Sequence, residues 1–179
     1  LESEVEAEGA RLGRALLSRN GLRSYELRPS PGSREIVLRY SGPVGAGAAH
    51  PEHGMPDAVV SAEGVYLDGS AGWYPRFGDA LATFELEVSA PPGWEVVSQG
   101  ERTPLPGGVR WVERTPQDDI YLVGGAFTRY EDRAGPVATE VYLRAPDPDL
   151  ARRYLDALAR HHAVYRELLG AYPYAKFAV

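Results

Sequence analysis

The 179-residue chain has no cysteine. That excludes disulfide stapling and thiolate metal sites, and it leaves the compartment open, since cysteine-free chains occur on both sides of a membrane. No apolar run approaches the roughly 18 residues that a membrane span needs. The start lacks the basic-then-apolar pattern of a secretory signal, and because it is Leu1 rather than Met, a removed leader would leave no trace. Basic excess is missing too. A formal net charge of -6 argues against nucleic acid and against an anionic membrane surface as partners, because both require a basic face.

Catalytic signatures are equally scarce. His-Glu-x-x-His, which sets two imidazoles one helical turn apart with a glutamate base between them, does not occur. His161 and His162 are adjacent, so on a helix of 3.6 residues per turn they point about 100° apart and cannot chelate one ion. They are expected to form a helix-surface pair with one ring at a domain contact. His50-Pro-Glu-His53 brings two imidazoles and a carboxylate together, but no distant third ligand or supporting shell is evident. Ser70 lies in Gly69-Ser-Ala-Gly72, without the Gly-x-Ser-x-Gly spacing of a nucleophile elbow, and reads as a turn serine. Gly124-Gly125 is not followed by Gly-Lys-Ser/Thr, so it marks a bulge or a close backbone approach rather than a phosphate loop. Glu85 and Glu87 face the same way and have the residue type of a glycosidase pair, yet the wet face of a strand accounts for them.

What is present is a soluble-type composition, 44% hydrophobic and 25% charged, patterned with period two up to about residue 145. Ala82, Phe84, Leu86 and Val88 alternate with Thr83, Glu85 and Glu87, the mark of a strand with one wet face. Ile36, Leu38 and Tyr40 share a side, as do Val137, Thr139, Val141 and Leu143. Val109 and Trp111 oppose Arg110 and Arg114, and Ile120-Tyr-Leu-Val123 reads as a short buried strand. Ser30-Pro-Gly-Ser33, Pro91-Pro-Gly93 and Pro106-Gly-Gly108 supply turns between the runs. Residues 5–17 score as helix or strand; Gly9, Gly13 and Asn20-Gly21 favour hairpins. Residues 42–57 have no periodicity and read as a long surface excursion. The expected fold is therefore mainly β, an antiparallel, saddle-like sandwich.

The character changes at Ala145-Pro-Asp-Pro-Asp149. Asp147 can cap, Pro148 suits the first helical position, and Leu150, Tyr154, Leu158, Tyr165, Leu168 and Leu169 recur at helical spacing. Gly170 suits the left-handed position after a helix over 148–169, and Pro173 prevents its continuation. Leu155 and Val164 widen the apolar stripe beyond one sheet face, so the helix is expected to touch two bodies. Beyond it the chain runs into an apolar, half-made strand, as a cut inside a longer protein would leave. The division expected is a β domain over 1–145, then a linker helix and the start of a further strand over 146–179.

Three stretches in this order carry a family likeness. Trp73-Tyr-Pro-Arg-Phe-Gly-Asp-Ala-Leu-Ala-Thr-Phe84, with Pro91-Pro-Gly-Trp-Glu-Val-Val-Ser-Gln-Gly100 after it, is the first. Ile120-Tyr-Leu-Val-Gly-Gly-Ala-Phe-Thr-Arg-Tyr130 is the second, and Leu168-Leu-Gly-Ala-Tyr-Pro-Tyr-Ala-Lys-Phe177 the third. Together they resemble the N-terminal region of the M1 family of zinc aminopeptidases, whose catalytic motifs lie further on. The resemblance implies a saddle-like β domain that shields the active site, followed by a thermolysin-like catalytic domain that binds zinc and cleaves the N-terminal residue from peptides. By itself this chain would then bind no zinc and hydrolyse nothing. It also implies an acidic residue that grips the free amine of the substrate, a few positions before the first stretch. Tyr66 occupies the best-matched position, a departure from the family pattern, and Glu63 and Asp68 are the candidates to substitute. Severed from its partner, the helix stripe is expected to drive self-association.

The contrasting reading is a free-standing β-sandwich module that binds carbohydrate or peptide through Trp73, Trp94, Trp111 and the eleven tyrosines. An enzyme complete within these residues ranks last, for want of a catalytic constellation.

Overall fold

A computed structural model describes residues 4–17, 23–42, 44, 58–133 and 137–179. The first third is one long, interrupted hairpin. Its outgoing arm is β1 (Glu4–Glu8), β2 (Ala10–Leu12) and β3 (Leu16–Leu17); its returning arm is β4 (Arg23–Ser24), β5 (Leu27–Pro29) and β6 (Val37–Ser41). The arms pair antiparallel as β3 with β4, β2 with β5 and β1 with β6. The strand reading of residues 5–17 holds, while Asn20-Gly21 lies outside the described residues. The Ser30–Ser33 turn closes through the Ser33 N–H to the Ser30 carbonyl at 3.0 Å.

Next come β7 (Ala58–Val60), β8 (Val65–Leu67), a 3-10 turn at Gly69–Ala71, β9 (Ala82–Ser89), β10 (Glu95–Val97), β11 (Glu101–Leu105), β12 (Gly108–Gln117) and β13 (Leu122–Gly125). They form two antiparallel sheets, in the orders β10-β13-β8-β7 and β11-β12-β9. Proline and glycine act where expected: the Trp94 N–H reaches the Pro91 carbonyl at 3.1 Å, and Gly107 turns β11 into β12 with φ of +76°. The apolar alternation of β9 and β12 builds a core of Val96, Val109 and Trp111, with Leu86, Val88 and Leu122 against it. On the opposite face Arg110 pairs with Glu85 at 2.5 Å and approaches Glu87 at 3.9 Å. The two glutamates are thus exposed cross-strand ion-pair partners.

The last unit holds β14 (Thr128–Asp132), β15 (Ala138–Leu143), α1 (Pro148–Leu169) and β16 (Lys176–Ala178). β15 is central, antiparallel to β14 and parallel to β16. The helix has the bounds that its local chemistry predicts. Asp147 accepts the Leu150 N–H at 2.8 Å, Pro148 opens the first turn, and Gly170 donates to the Arg166 carbonyl at 3.1 Å. Ala151, Leu155 and Leu158 pack on Val141, with Tyr130, Leu143 and Phe177 around them. A mainly β fold of several antiparallel sheets, with one C-terminal helix and a following strand, is what the chain adopts.

Three local expectations need correcting. The strand expected over 120–123 starts only at Leu122: the Ile120 N–H goes to the Tyr74 hydroxyl and the Tyr121 N–H to the Gln99 side chain, so neither joins the ladder. β15 has no wet face. Ala138 and Glu140 are buried as well as Thr139 and Val141, because charged neighbours cover the side away from the helix. Tyr40 is not in the core; it is half exposed, and its hydroxyl donates to the Trp73 carbonyl at 3.1 Å.

Candidate functional site

Of the residues singled out from the sequence, Tyr66 lies in β8, Asp68 directly follows it and Glu63 precedes it. Tyr66 and Asp68 flank Leu67, the last residue of the strand, which is buried in the core. Tyr66 lies across from Val123 of β13, which brings the segment before β13 alongside. There Asp118, Asp119 and Tyr121 join them. The Tyr121 phenol is pushed up, first by burial and then by the surrounding negative charge and rings of Asp119, Tyr66, Asp118 and Asp68. Glu63 is elsewhere. It sits exposed in the turn that joins β7 to β8, where the Ser61 N–H bonds the Gly64 carbonyl at 3.0 Å. Hydrogen bonds from the Ser61 hydroxyl and from its own backbone N–H hold its carboxyl below the usual range. Tyr66 and Asp68 therefore belong to one patch, and Glu63 lies apart, in the turn before β8.

A half-buried network fixes the floor of that patch. Asp119 Oδ1 accepts the Tyr74 hydroxyl at 2.7 Å and lies 3.8 Å from Arg76, and the Asp119 carbonyl accepts Gln99 Nε2 at 2.8 Å. Burial and the Asp119 hydrogen bond push the Tyr74 phenol up to about 12. Gly69 is required here, because a Cβ would stand 1.4 Å from Asp119 Oδ1 and 2.7 Å from the Tyr74 hydroxyl. Sequence reasoning missed Asp118, Asp119 and Tyr121; the adjacent aspartates ahead of an apolar run are the one signal that would have marked them. Carboxylates ringed by phenols suit a cationic group, such as an amine, held by charge and aromatic faces. Among the described residues the patch contains no nucleophile placed against a base.

The other candidates resolve individually. Ser70 lies in the 3-10 turn. Gly125 makes a close approach, with a Cβ placed there 3.0 Å from the Phe127 ring. Trp111 is fully buried, at 0% exposure, so it cannot serve an aromatic binding platform. His162 stacks on Tyr172 at 5.3 Å and meets Phe177 edge-on at 5.2 Å, whereas His161 lies outward beside Tyr165. His50 and His53 lie outside the described residues. No group of three metal-ligating side chains occurs among the described residues.

Among the described residues the second half of α1 carries the most exposed large apolar side chains. Beyond Leu158 its apolar residues leave the sheet: Val164 and Tyr165 are exposed, as are Leu168 at 71% and Leu169 at 80%.

With this geometry, solved structures give a clear answer. A two-domain M1 zinc metallopeptidase mutant, solved with L-arginine bound, superposes over 97% of this chain with a TM-score of 0.63 at 18% identity. The chain has the fold of part of the M1 zinc metallopeptidases. An aminopeptidase N family protein from Idiomarina loihiensis matches over 98% of the chain (TM-score 0.60, 16% identity). The M1 zinc metallopeptidase from Deinococcus radiodurans matches over 99% (TM-score 0.57, 18% identity). The chain spans 30% of the Idiomarina protein and 46% and 48% of the other two. No protein-family model and no curated protein matches. The described residues do not fit the zinc that these M1 proteins are named for: the two helical histidines diverge, and the acidic patch offers no imidazole. No chemistry is derived through the metal in this chain.

Proposed function

We propose that this chain is the non-catalytic N-terminal β domain of an M1-like zinc metallopeptidase, walling the active-site cleft and docking the catalytic domain. The observation that carries this reading is the match in fold over nearly the whole chain to proteins more than twice its length. In this reading residues 1–145 form the wall, and residues 146–179 are the linker helix and first strand of the catalytic domain. The first half of α1 is anchored on β14 and β15, while Val164, Tyr165, Leu168 and Leu169 meet the partner. Zinc and the peptide substrate belong to the complete protein. Tyr66 and Asp68, with Glu63 in the turn before the strand, are the substrate-facing candidates.

The test uses the complete gene product. Glu63→Ala, Tyr66→Phe and Asp68→Asn are assayed separately on peptides with free and acetylated N-termini. The expected result is a higher KM for free-amine peptides in at least one variant, with zinc content unchanged. Wild-type protein without peptidase activity, or three variants indistinguishable from it, would refute the assigned role. The isolated 179-residue chain is expected to self-associate through the bare helix face. Sedimentation at rising concentration reports this, and Leu168→Glu/Leu169→Glu should restore the monomer.

A further inference from the structure

Between β11 and the C-terminal sheet lies a polar cleft of about 270 Å³, at the small end of the range for ligand pockets. Arg102 from β11, Arg129 from β14, Arg133 just beyond β14 and Lys176 from β16 line it, against the carboxylates of Glu101, Glu131 and Glu140. Its balance is thus positive in a chain whose formal net charge is -6. Hydrogen-bonding capacity is far less even. Both oxygens of Glu131 accept, one from Arg133 Nε at 3.2 Å and the other from Arg129 Nη2 at 2.7 Å. Both oxygens of Glu140 are taken as well, by Arg129 Nη2 at 2.6 Å and by the Tyr142 hydroxyl at 2.7 Å. Each arginine, by contrast, commits a single nitrogen among the described residues. Arg102 uses Nη2 alone, on Glu95 at 2.9 Å, and the Nε atoms of Arg102 and Arg129 are buried with no acceptor, which is costly for a charged donor.

We propose that this cleft is a binding site for a small oxyanion, a phosphate or a carboxylate, held between the guanidinium forks of Arg102, Arg129 and Arg133. Such an ion only accepts, and so brings what the cleft lacks: a planar fork presents five N–H groups and pairs with carboxylate or phosphate through two at once. A cationic ligand is the wrong match, because the oxygens of Glu131 and Glu140 that would receive it already serve Arg129, Arg133 and Tyr142, and Glu101 is drawn to Arg114 at 2.9 Å. Lys176 adds charge rather than a contact, since its Nζ donates to the Ser98 carbonyl and lies 4.4 Å from the centre of the Trp111 ring. Arg102 belongs to one sheet and Arg129 to another, so the bound anion bridges them and ties the C-terminal sheet to β11. The site stands independently of the metallopeptidase reading.

The chain is titrated with inorganic phosphate and, separately, with N-acetylglycine, at constant ionic strength, and followed by calorimetry and by its backbone amide resonances. Saturable binding of at least one of the two is expected, with the largest shifts at Gly100, Ala138 and Ala175, which line the cleft. The anion that saturates at the lower concentration identifies the class of ligand. Arg133→Gln removes an exposed fork and should weaken binding about tenfold, as loss of a charge-assisted hydrogen bond does. Arg110→Gln removes a cation from the opposite, wet face of β12 and should leave the affinity unchanged. A linear response to both anions, shifts centred away from the cleft, undiminished binding by Arg133→Gln or an equal loss in Arg110→Gln would overturn the site.

Discussion

Removing the Arg129 charge should expose how β15 is buried on its second face. Glu140 is 2% exposed. One of its oxygens accepts Arg129 at 2.6 Å and the other accepts the Tyr142 hydroxyl at 2.7 Å. Glu131, directly opposite Glu140 in the ladder, shares the same guanidinium at 2.7 Å. Arg129→Met would leave a buried carboxylate with one neutral donor and a like charge facing it across the strands. Losing one partner of such a pair costs about 3–5 kcal/mol. Glu140→Gln should cost less, about 1–2 kcal/mol, because Arg129 keeps Glu131 and only one charged hydrogen bond is weakened. The double replacement Arg129→Met/Glu140→Leu should recover most of the loss, since a buried ion pair and an apolar pair of similar volume are close to equal in stability. Urea unfolding of the four proteins at pH 7, followed by tryptophan fluorescence, yields the coupling. A single Arg129→Met variant within about 1 kcal/mol of wild type, or strictly additive changes, would refute the reasoning.

Asp147→Ala should destabilise the chain by about 1 kcal/mol through loss of the helix cap, and Asp147→Asn by far less, read from thermal unfolding. Gly69→Ala should cost about 1–2 kcal/mol by displacing Asp119 from the Tyr74 hydroxyl; combined with Asp119→Ala, the two should not add. Tyr74 ionises late, so the stability it contributes is present below its unfolded value of 10 and lost as pH rises through about 12. Absorbance titration of Tyr74→Phe should lack that late component, and an unchanged titration curve would contradict the assignment.

Local chemistry made the helix legible. Asp147, Pro148 and Gly170 each act within one turn of their own position, so both ends could be read without tertiary information. β9 and β12 were legible for a similar reason, since Glu85, Glu87, Arg110 and Arg114 remain on a wet face. β15 misled because its polar side is covered by an ion network: Glu140 looks like a solvent-facing residue until Arg129 and Lys176 arrive from other strands. Ile120 and Tyr121 have the right apolar character for a strand, yet Tyr74 and Gln99, more than twenty residues away, take their N–H groups. The candidate patch was half visible. Tyr66 and Asp68 could be found along β8, but Asp118, Asp119 and Tyr121 join them only through the pairing of β8 with β13, which no local pattern encodes.

The most direct test of the proposed role is the zinc content of the complete gene product set against that of the isolated 179-residue chain, both purified without added metal and measured by elemental mass spectrometry. The account predicts one zinc per complete chain and none in the isolated one; a complete product without zinc, or zinc retained by the 179 residues alone, would contradict it.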